Sequence, residues 1–151
     1  ASDGFSEIAG AQAKYANGVE KSADGRYLYV ISYFGDEVIK VDVGEGKRVG
    51  SVTVPSPDNL AWSADGELLV AGHDASLSET KACLTLTEGS CGIRFEILAI
   101  DPEAMTARSI FSNEGAPMGA ATVARPHGDY LYLGTFSGDR IGRISADLLK
   151  R

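Results

Sequence analysis

Carboxylate and amide side chains lie at matching places ahead of two copies of a short motif. Asn17 comes five residues before Ser22, which opens "SADGRYLYV", and the pair Asp58-Asn59 comes four to five residues before Ser63, which opens "SADGELLV". Asp and Asn oxygens are ligands that Ca²⁺ accepts together with water. Because Asn-Gly and Pro-Asp-Asn also form turns, the spacing alone leaves open whether these residues bind a cation or only reverse the chain.

The motif belongs to a longer repeat that occurs three times. The copies begin at Ser22, at Ser63 and at Arg125, and each predicts a strand, a turn and a second strand. The first and third copies also share a second half, in which "YFGD" and "FSGD" precede apolar pairs. Short strands that repeat at the spacing between Ser22 and Ser63 are typical of β-propeller blades. Equivalent positions in successive blades converge on the propeller axis.

We therefore predict an all-β fold, a β-propeller with about three four-stranded blades. The blades are expected near residues 17–56, 57–115 and 116–146, with a loop insertion on one rim at residues 74–93. Closed propellers have four to eight blades, so three blades predict half of a six-bladed ring. The missing blades are expected from a second copy, a partner chain or a lost N-terminal half.

The overall charge limits the classes of partner. The 151 residues include 14 Lys and Arg against 21 Asp and Glu, a net charge of -7, which argues against nucleic acid and anionic membranes. No segment approaches the roughly 18 apolar residues of a membrane span. The first ten residues, "ASDGFSEIAG", lack the pattern of a signal peptide, and we expect any targeting segment to have been removed.

Two cysteines, Cys83 and Cys91, lie close together in the turn-rich stretch "ACLTLTEGSCG". This spacing favours a local disulfide over two free thiols, and a disulfide predicts a periplasmic or secreted protein.

Common catalytic motifs are missing from the sequence, which contains no G-x-S-x-G, no phosphate-binding loop and no H-E-x-x-H. The glycine-rich stretch "GEGKRVG" from Gly44 fits no phosphate loop, and we expect it to join one blade to the next. The sequence therefore offers no serine nucleophile, and the oxygen ligands remain the main chemical signal.

Three stretches, "YANGVEKSADGRYLYV", "PSPDNLAWSADGELLVAGH" and "LYLGTFSGDRIGRI", resemble the C-terminal half of the paraoxonase/arylesterase family. These are six-bladed, calcium-dependent propeller hydrolases, and gluconolactonases, regucalcin-type proteins and strictosidine-synthase-like proteins are wider relatives. The resemblance covers nearly the whole chain. It implies a hydrolase of lactones or esters in which Ca²⁺ polarises the substrate carbonyl while a base activates water.

The resemblance also implies roles for individual residues. Asn17, Asp58 and Asn59 fall where the family has ligands of its catalytic calcium, and His73 falls near the active-site mouth, where we expect it to act in catalysis or line the pocket. Met118 and Thr122 fall near the start of the last inner strand, where they either line the pocket or pack in the core.

Part of the family's site has no counterpart in this sequence. A Glu ligand, a further Asn ligand and the histidine taken as general base come from the family's N-terminal half. The resemblance therefore implies only part of a metal site here. Two alternatives stay open: a metal-independent, strictosidine-synthase-like enzyme, and a non-catalytic propeller used for binding or assembly.

Overall fold

The structure is a computed structural model that describes residues 4–150. These residues form three antiparallel sheets that follow one another along the chain. The first sheet contains, in spatial order, β1 (Ala16–Lys21), β2 (Tyr27–Ser32), β3 (Glu37–Asp42) and β4 (Lys47–Thr53). The second contains β5 (Pro57–Trp62), β6 (Leu68–His73), β7 (Phe95–Asp101) and β8 (Thr106–Asn113). The third contains β9 (Ala121–His127), β10 (Tyr130–Thr135) and β11 (Gly142–Ser145).

This arrangement confirms the predicted all-β propeller fold with three blades. The innermost strands β1, β5 and β9 lie beside one another, and each sheet then proceeds outwards strand by strand. The third sheet has three strands within the described residues, where four were expected. After β11 the chain forms a 3₁₀ turn, Ala146–Leu148, and the N–H of Lys150 donates to the carbonyl of Ile110 in the second sheet, 2.9 Å away. The chain therefore turns away from the free edge of β11.

Tight turns close the hairpins, as predicted for each repeat, and Asp24-Gly25 lies in the turn between β1 and β2. Gly25 has φ +73°, and the Asp24 carboxylate accepts a hydrogen bond from the N–H of Arg26 at 3.0 Å. The prediction that "GEGKRVG" joins two blades is wrong. Its first residues form the turn between β3 and β4 of one sheet, where Gly46 has φ +61° and the Asp42 carboxylate accepts from the N–H of Glu45.

Apolar side chains fill the spaces between neighbouring sheets. Buried residues of the first two sheets, including Ile31, Val38 and Leu68, form one cluster, and Phe95, Ile97 and Leu131 belong to a second cluster between the second and third sheets. Lys40 is also buried between the first two sheets, where its ammonium donates to the carbonyl of Pro102 at 2.7 Å and lies 4.2 Å from the centre of the Tyr27 ring.

The rim insertion, residues 74–93, contains one short helix, α1 (Leu77–Cys83), which the sequence analysis did not predict. Cys83 and Cys91 form a disulfide, as predicted. Among the described residues, no helix is both long enough and apolar enough to cross a membrane.

Replacement of Gly72 by Ala should destabilise the packing between the first two sheets. A Cβ at this position would lie 2.7 Å from the carbonyl oxygen of Pro55, closer than real Cβ contacts. We expect Gly72→Ala to lower the free energy of unfolding by about 1–3 kcal/mol in a urea titration.

Gly92→Ala is the matched control for this change. Gly92 is exposed and has open space where its Cβ would lie, so the substitution should leave the stability almost unchanged. Equal stability of the two variants would contradict the close contact between Gly72 and Pro55.

Candidate functional site

The two predicted groups of oxygen ligands occupy β-bulges at the start of neighbouring inner strands. The pairing of β1 with β2 shifts register between Ala16 and Val19, and that of β5 with β6 shifts between Pro57 and Leu60. Each shift leaves one extra residue in the inner strand. Asn17 and the Asp58-Asn59 pair thus lie where the pleat is interrupted, and bulges of this kind redirect side chains near functional sites.

The third inner strand has the same irregularity. Ala121 pairs with Thr135 and Val123 pairs with Gly134, so Thr122 between them has no counterpart in β10. The residue at the bulge in β9 is therefore a threonine, whereas the bulges of β1 and β5 carry Asn and Asp. All three bulges lie near the first residue of their strand, at the same end of the sheets.

A strained backbone residue precedes each of the three strands. Tyr15, Ser56 and Ala120 have φ values of 58°, 36° and 54°, a region that residues other than glycine seldom adopt. Each one directly precedes the first residue of β1, β5 or β9. Strain repeated at one position in successive blades indicates a functional constraint at this end of the inner strands.

The bulge in β5 brings two consecutive side chains together. In a regular strand, Asp58 and Asn59 would point to opposite faces. Here the amide nitrogen of Asn59 donates to the Asp58 carboxylate at 2.6 Å. The side chain of Asn17, from the neighbouring blade, lies near Asp58, where it lowers the pKa of the carboxyl. The structure therefore brings all three predicted ligands to one place.

Gly18 allows the two bulges to approach each other. A Cβ on Gly18 would lie 2.7 Å from the carbonyl oxygen of Asp58 and 2.8 Å from the Cα of Asn59. Any larger residue would push β1 away from β5. The Asn-Gly sequence thus has two separate functions: the glycine brings the backbones close, and the asparagine contributes the side chain.

Asp58 is a carboxylate held at an energetic cost. Burial raises its pKa above the ordinary value of 3.8, and the positive charge that His73 carries when protonated and the hydrogen bond from Asn17 act in the opposite direction. No Lys or Arg is among the groups that influence it. A half-buried carboxylate that no Lys or Arg neutralises among the groups acting on it is a suitable ligand for a cation.

His73 ends β6 and is 3% exposed. Its Nε2 lies 2.7 Å from the carbonyl oxygen of Ala121 in β9, and a carbonyl can only accept, so Nε2 carries a proton. Burial lowers the pKa of the ring below 6.5, against the effects of the Ala121 carbonyl, the Asp58 charge and the Ala120 carbonyl. Within residues 4–150, Nδ1 is buried and has no hydrogen-bond partner.

Equivalent positions in the three blades are occupied by Tyr33, His73 and Phe136. In each blade, the first residue of the inner strand pairs with a residue of the second strand, and the ring-bearing residue follows that partner directly. The His73 ring lies 6.5 Å from the Tyr33 ring and 5.9 Å from the Phe136 ring. We name these three residues the aromatic arc. The sequence analysis missed Tyr33 and Phe136, although aligning "YFGD", "HDAS" and "FSGD" across the repeats would have indicated them.

The arc borders the same site as Asp58. Burial raises the pKa of the Tyr33 hydroxyl, and the negative charge of Asp58 raises it further, while the nearby Thr80 side chain lowers it. The Tyr33 hydroxyl therefore stays protonated at neutral pH and can donate a hydrogen bond.

The two predicted pocket residues differ in their surroundings. Thr122 is half-buried at the bulge of β9. Met118 is 6% exposed and belongs to the core cluster between the second and third sheets, and its sulfur lies close to Gly142. The location of Met118 matches the second of its two predicted roles, packing in the core. A contact between Met118 and a substrate stays a prediction.

The residues present fit a hard cation in type. Their oxygens come from one carboxylate, Asp58, and two amides, Asn17 and Asn59. In the part of the chain that the structure describes, no three His, Cys, Asp or Glu side chains group together as a metal site. The donors thus fit calcium in chemistry and supply fewer than the six to eight oxygens that this ion takes.

Three blades whose inner strands present polar side chains at one end define a β-propeller with an axial polar site. The chain belongs to the arylesterase family, whose model matches residues 5–140. No curated protein matches it.

Two solved structures match the chain, and the first of them has a similar fold. Hydrazine synthase from Kuenenia stuttgartiensis matches with a TM-score of 0.58 and 19% identity, over 87% of this chain and 34% of that one. A putative 6-phosphogluconolactonase from Bacteroides uniformis has a TM-score of 0.36 and 13% identity, over 84% of this chain and 51% of that one. The chain therefore spans about a third and about half of the lengths of these structures.

Asp58→Asn should stabilise the metal-free protein at pH 7. The folded-state pKa of Asp58 is raised, so folded protein binds the proton more tightly than unfolded protein, and stability falls as pH rises from 3.8 through that higher pKa. The amide removes this cost. We expect a higher urea midpoint than wild type at pH 7 and no difference at about pH 3, where the carboxyl is protonated in both states.

Asp65→Asn, in an exposed hairpin turn, is the control for Asp58→Asn. An Asp58→Asn variant that is less stable than wild type at pH 7 would show that the carboxylate stabilises the fold, contrary to a ligand role.

Gly18→Ala should separate the two bulges. Its Cβ would contact the backbone of Asp58 and Asn59, so β1 must move away from β5. We expect a loss of about 1–3 kcal/mol of unfolding free energy in a urea titration, together with altered amide NMR shifts of Asp58 and Asn59. Unchanged shifts at these two residues would contradict the close approach.

Proposed function

We propose that the chain carries part of the metal site of a calcium-dependent hydrolase of lactones or esters. Membership of the arylesterase family supports the reaction class. The observation that carries the metal site is the convergence of Asn17, Asp58 and Asn59 on two bulges held together by the contact at Gly18. Bound Ca²⁺ would polarise the substrate carbonyl and stabilise the negative charge that develops on it.

In this proposal the chain's own residues have separate tasks. Asn17, Asp58 and Asn59 provide oxygens to the cation, which requires the Asn59 amide to turn from its donor contact with Asp58. The aromatic arc forms one wall for the substrate, and the Tyr33 hydroxyl donates a hydrogen bond to a substrate oxygen. His73, with an unpaired Nδ1, is the candidate to accept a proton.

The proposed site is completed from outside residues 4–150. Three protein oxygens leave Ca²⁺ short of its usual coordination, so further ligands must come from additional blades. A lost N-terminal half, a partner chain or a second copy would supply them. A symmetric second copy would repeat Asn17, Asp58 and Asn59 and add no Glu at these positions. The disulfide is compatible with a periplasmic or secreted location, which we include in the proposal.

Calcium titration by calorimetry, with light scattering in the same buffer, tests the metal site. We expect the monomeric chain to bind Ca²⁺ weakly, with a dissociation constant of about 10⁻³ M, because its ligand set is incomplete. Asp58→Ala should abolish the binding heat, and Asp65→Ala should leave it unchanged. Equal binding by wild type and Asp58→Ala would contradict the site.

Hydrolysis of phenyl acetate and of a δ-lactone tests the reaction class. In the completed propeller we expect the activity to require Ca²⁺, to disappear with EDTA and to be lost in Asp58→Ala. Activity that persists in EDTA and in Asp58→Ala would favour a metal-independent enzyme on the same scaffold.

A further inference from the structure

A buried cation anchors the interface between the first and second sheets. Lys40 of β3 lies opposite Tyr29 of β2, and its ammonium is 4.2 Å from the centre of the Tyr27 ring. The ammonium donates to the carbonyl of Pro102, in the turn between β7 and β8, at 2.7 Å. The carboxylate of Glu103, in the same turn, lies 3.4 Å from this ammonium. Two tyrosines and a cation of one blade thus hold the outer turn of the next blade.

The third sheet repeats this arrangement on its outward face. Arg143 of β11 lies opposite Tyr132 of β10, and its guanidinium carbon is 4.5 Å from the centre of the Tyr130 ring. In both blades, the tyrosines lie three and five places before the residue that pairs with the first residue of the inner strand. Leu131 and Leu133, which alternate with the tyrosines, pack towards the second sheet, so the tyrosines face away from it. Tyr130 and Arg143 are exposed.

The residues before β1 repeat the packing of a fourth strand. Val52 of β4 and Val54 after it pack between the first two sheets. Ala11 and Ala13, at the same distances before β1 as these valines are before β5, pack against the outward face of the first sheet. We name residues 9–13 the N-terminal arm. The arm therefore covers the first sheet as the end of β4 covers the second.

A further pair of contacts supports this equivalence. A Cβ on Gly50 of β4 would lie 3.1 Å from the side chain of Met105, in the β7–β8 turn. A Cβ on Gly46, in the β3–β4 turn, would lie 3.1 Å from the Cβ of Ala9 in the arm. Gly46 and Met105 hold the same place after the third strand of their sheets, and both have positive φ. The arm is thus placed as a fourth strand, and the third sheet has only three strands within residues 4–150.

We propose that two copies of this chain associate head to tail, with the third sheet of each copy packed on the first sheet of the other. The arm of one copy pairs with β11 of the other and completes its blade. Arg143 donates to the carbonyl of Val43 in the second copy. Val43 corresponds to Pro102, since each directly follows the last residue of the third strand in its sheet.

A second copy is the occupant that fits both of these features. The third sheet needs a fourth strand, and the arm is a fourth strand that lacks the other three strands of its blade in the described chain. One contact, formed twice, satisfies both. If each blade fills one sixth of the ring, three blades turn through a half-circle, so two copies close the ring with two-fold symmetry. That this ring completes the metal site rests on the proposed function, whereas the association itself does not.

Sedimentation velocity in EDTA measures the association without any metal. We expect the mass to rise from one chain to two over about a hundredfold range of concentration and to stop there, because the ring is closed. Arg143→Ala should raise the dissociation constant of the dimer about tenfold or more. Arg108→Ala is the matched control, because Arg108 is exposed and pairs with Glu67 of its own sheet at 2.7 Å. It should leave the dissociation constant unchanged.

Cross-linking tests the head-to-tail orientation. The two cysteines of the sequence form a disulfide, so a cysteine added by mutation is the only free thiol. A mixture of Val43→Cys and Arg143→Cys chains should give a covalent dimer with a short bis-maleimide, and neither variant should do so alone. The mixed dimer keeps one unaltered contact, which holds it together. A covalent dimer of Arg143→Cys chains alone would show that third sheets face each other, contrary to the inference.

Hydrogen exchange with mass spectrometry tests the strand pairing. In the dimer, peptides that cover β11 and the arm should exchange more slowly than in the monomer, while the exposed turn at residues 63–67 should exchange equally. A chain that stays monomeric, an open series of larger oligomers, or a dimer without slower exchange in β11 would each overturn the inference. Calcium calorimetry on the same samples reports the metal site separately, so failure of the association and failure of the proposed function are distinguishable.

Discussion

The close approach of the first two inner strands is the constraint on which the candidate site depends. At Gly18 the backbone of β1 lies so near Asp58 and Asn59 that no Cβ fits between them. This contact places the bulge of one blade against the bulge of the next. The bulges in turn break the alternation of side chains, so Asp58 and Asn59 share one side and Asn17 reaches them. Without the contact, the polar groups of the two blades would lie apart.

Several features of the site are unfavourable for stability. It combines a desolvated carboxylate, a buried imidazole nitrogen without a partner among the described residues, and a positive φ before each inner strand. The cores between the sheets show no comparable cost, since their buried side chains are apolar and the buried Lys40 has a carbonyl and an aromatic ring as partners. The gathering of such features at one end of the inner strands is consistent with selection for chemistry at that end.

The sequence predicts the parts of the structure that repeat locally. Strand pairs follow from the hairpin turns and the apolar runs, and the period places Asn17 near Asp58 and Asn59. The bulges were not predictable, because a register shift depends on the partner strand and not on the residues that shift. Tyr33 and Phe136 were missed for the same reason: their equivalence to His73 emerges from the pairing. The turn at Gly44 was misassigned because glycine marks a chain reversal without specifying which strands it joins.

In the proposed metal centre, charge ties assembly to calcium binding. Asn17, Asp58 and Asn59 bring a single negative charge to a doubly charged ion, and their three oxygens cover at most half of its usual coordination. Further blades would bring ligands to an ion that these residues hold only weakly. Any group that binds the assembled state better than the separated one stabilises assembly by the same free energy. Calcium would therefore stabilise the complete propeller, and the complete propeller would bind calcium more tightly. The unfavourable burial of the Asp58 carboxylate in the separated chain would thus contribute to the free energy that favours completing the ring.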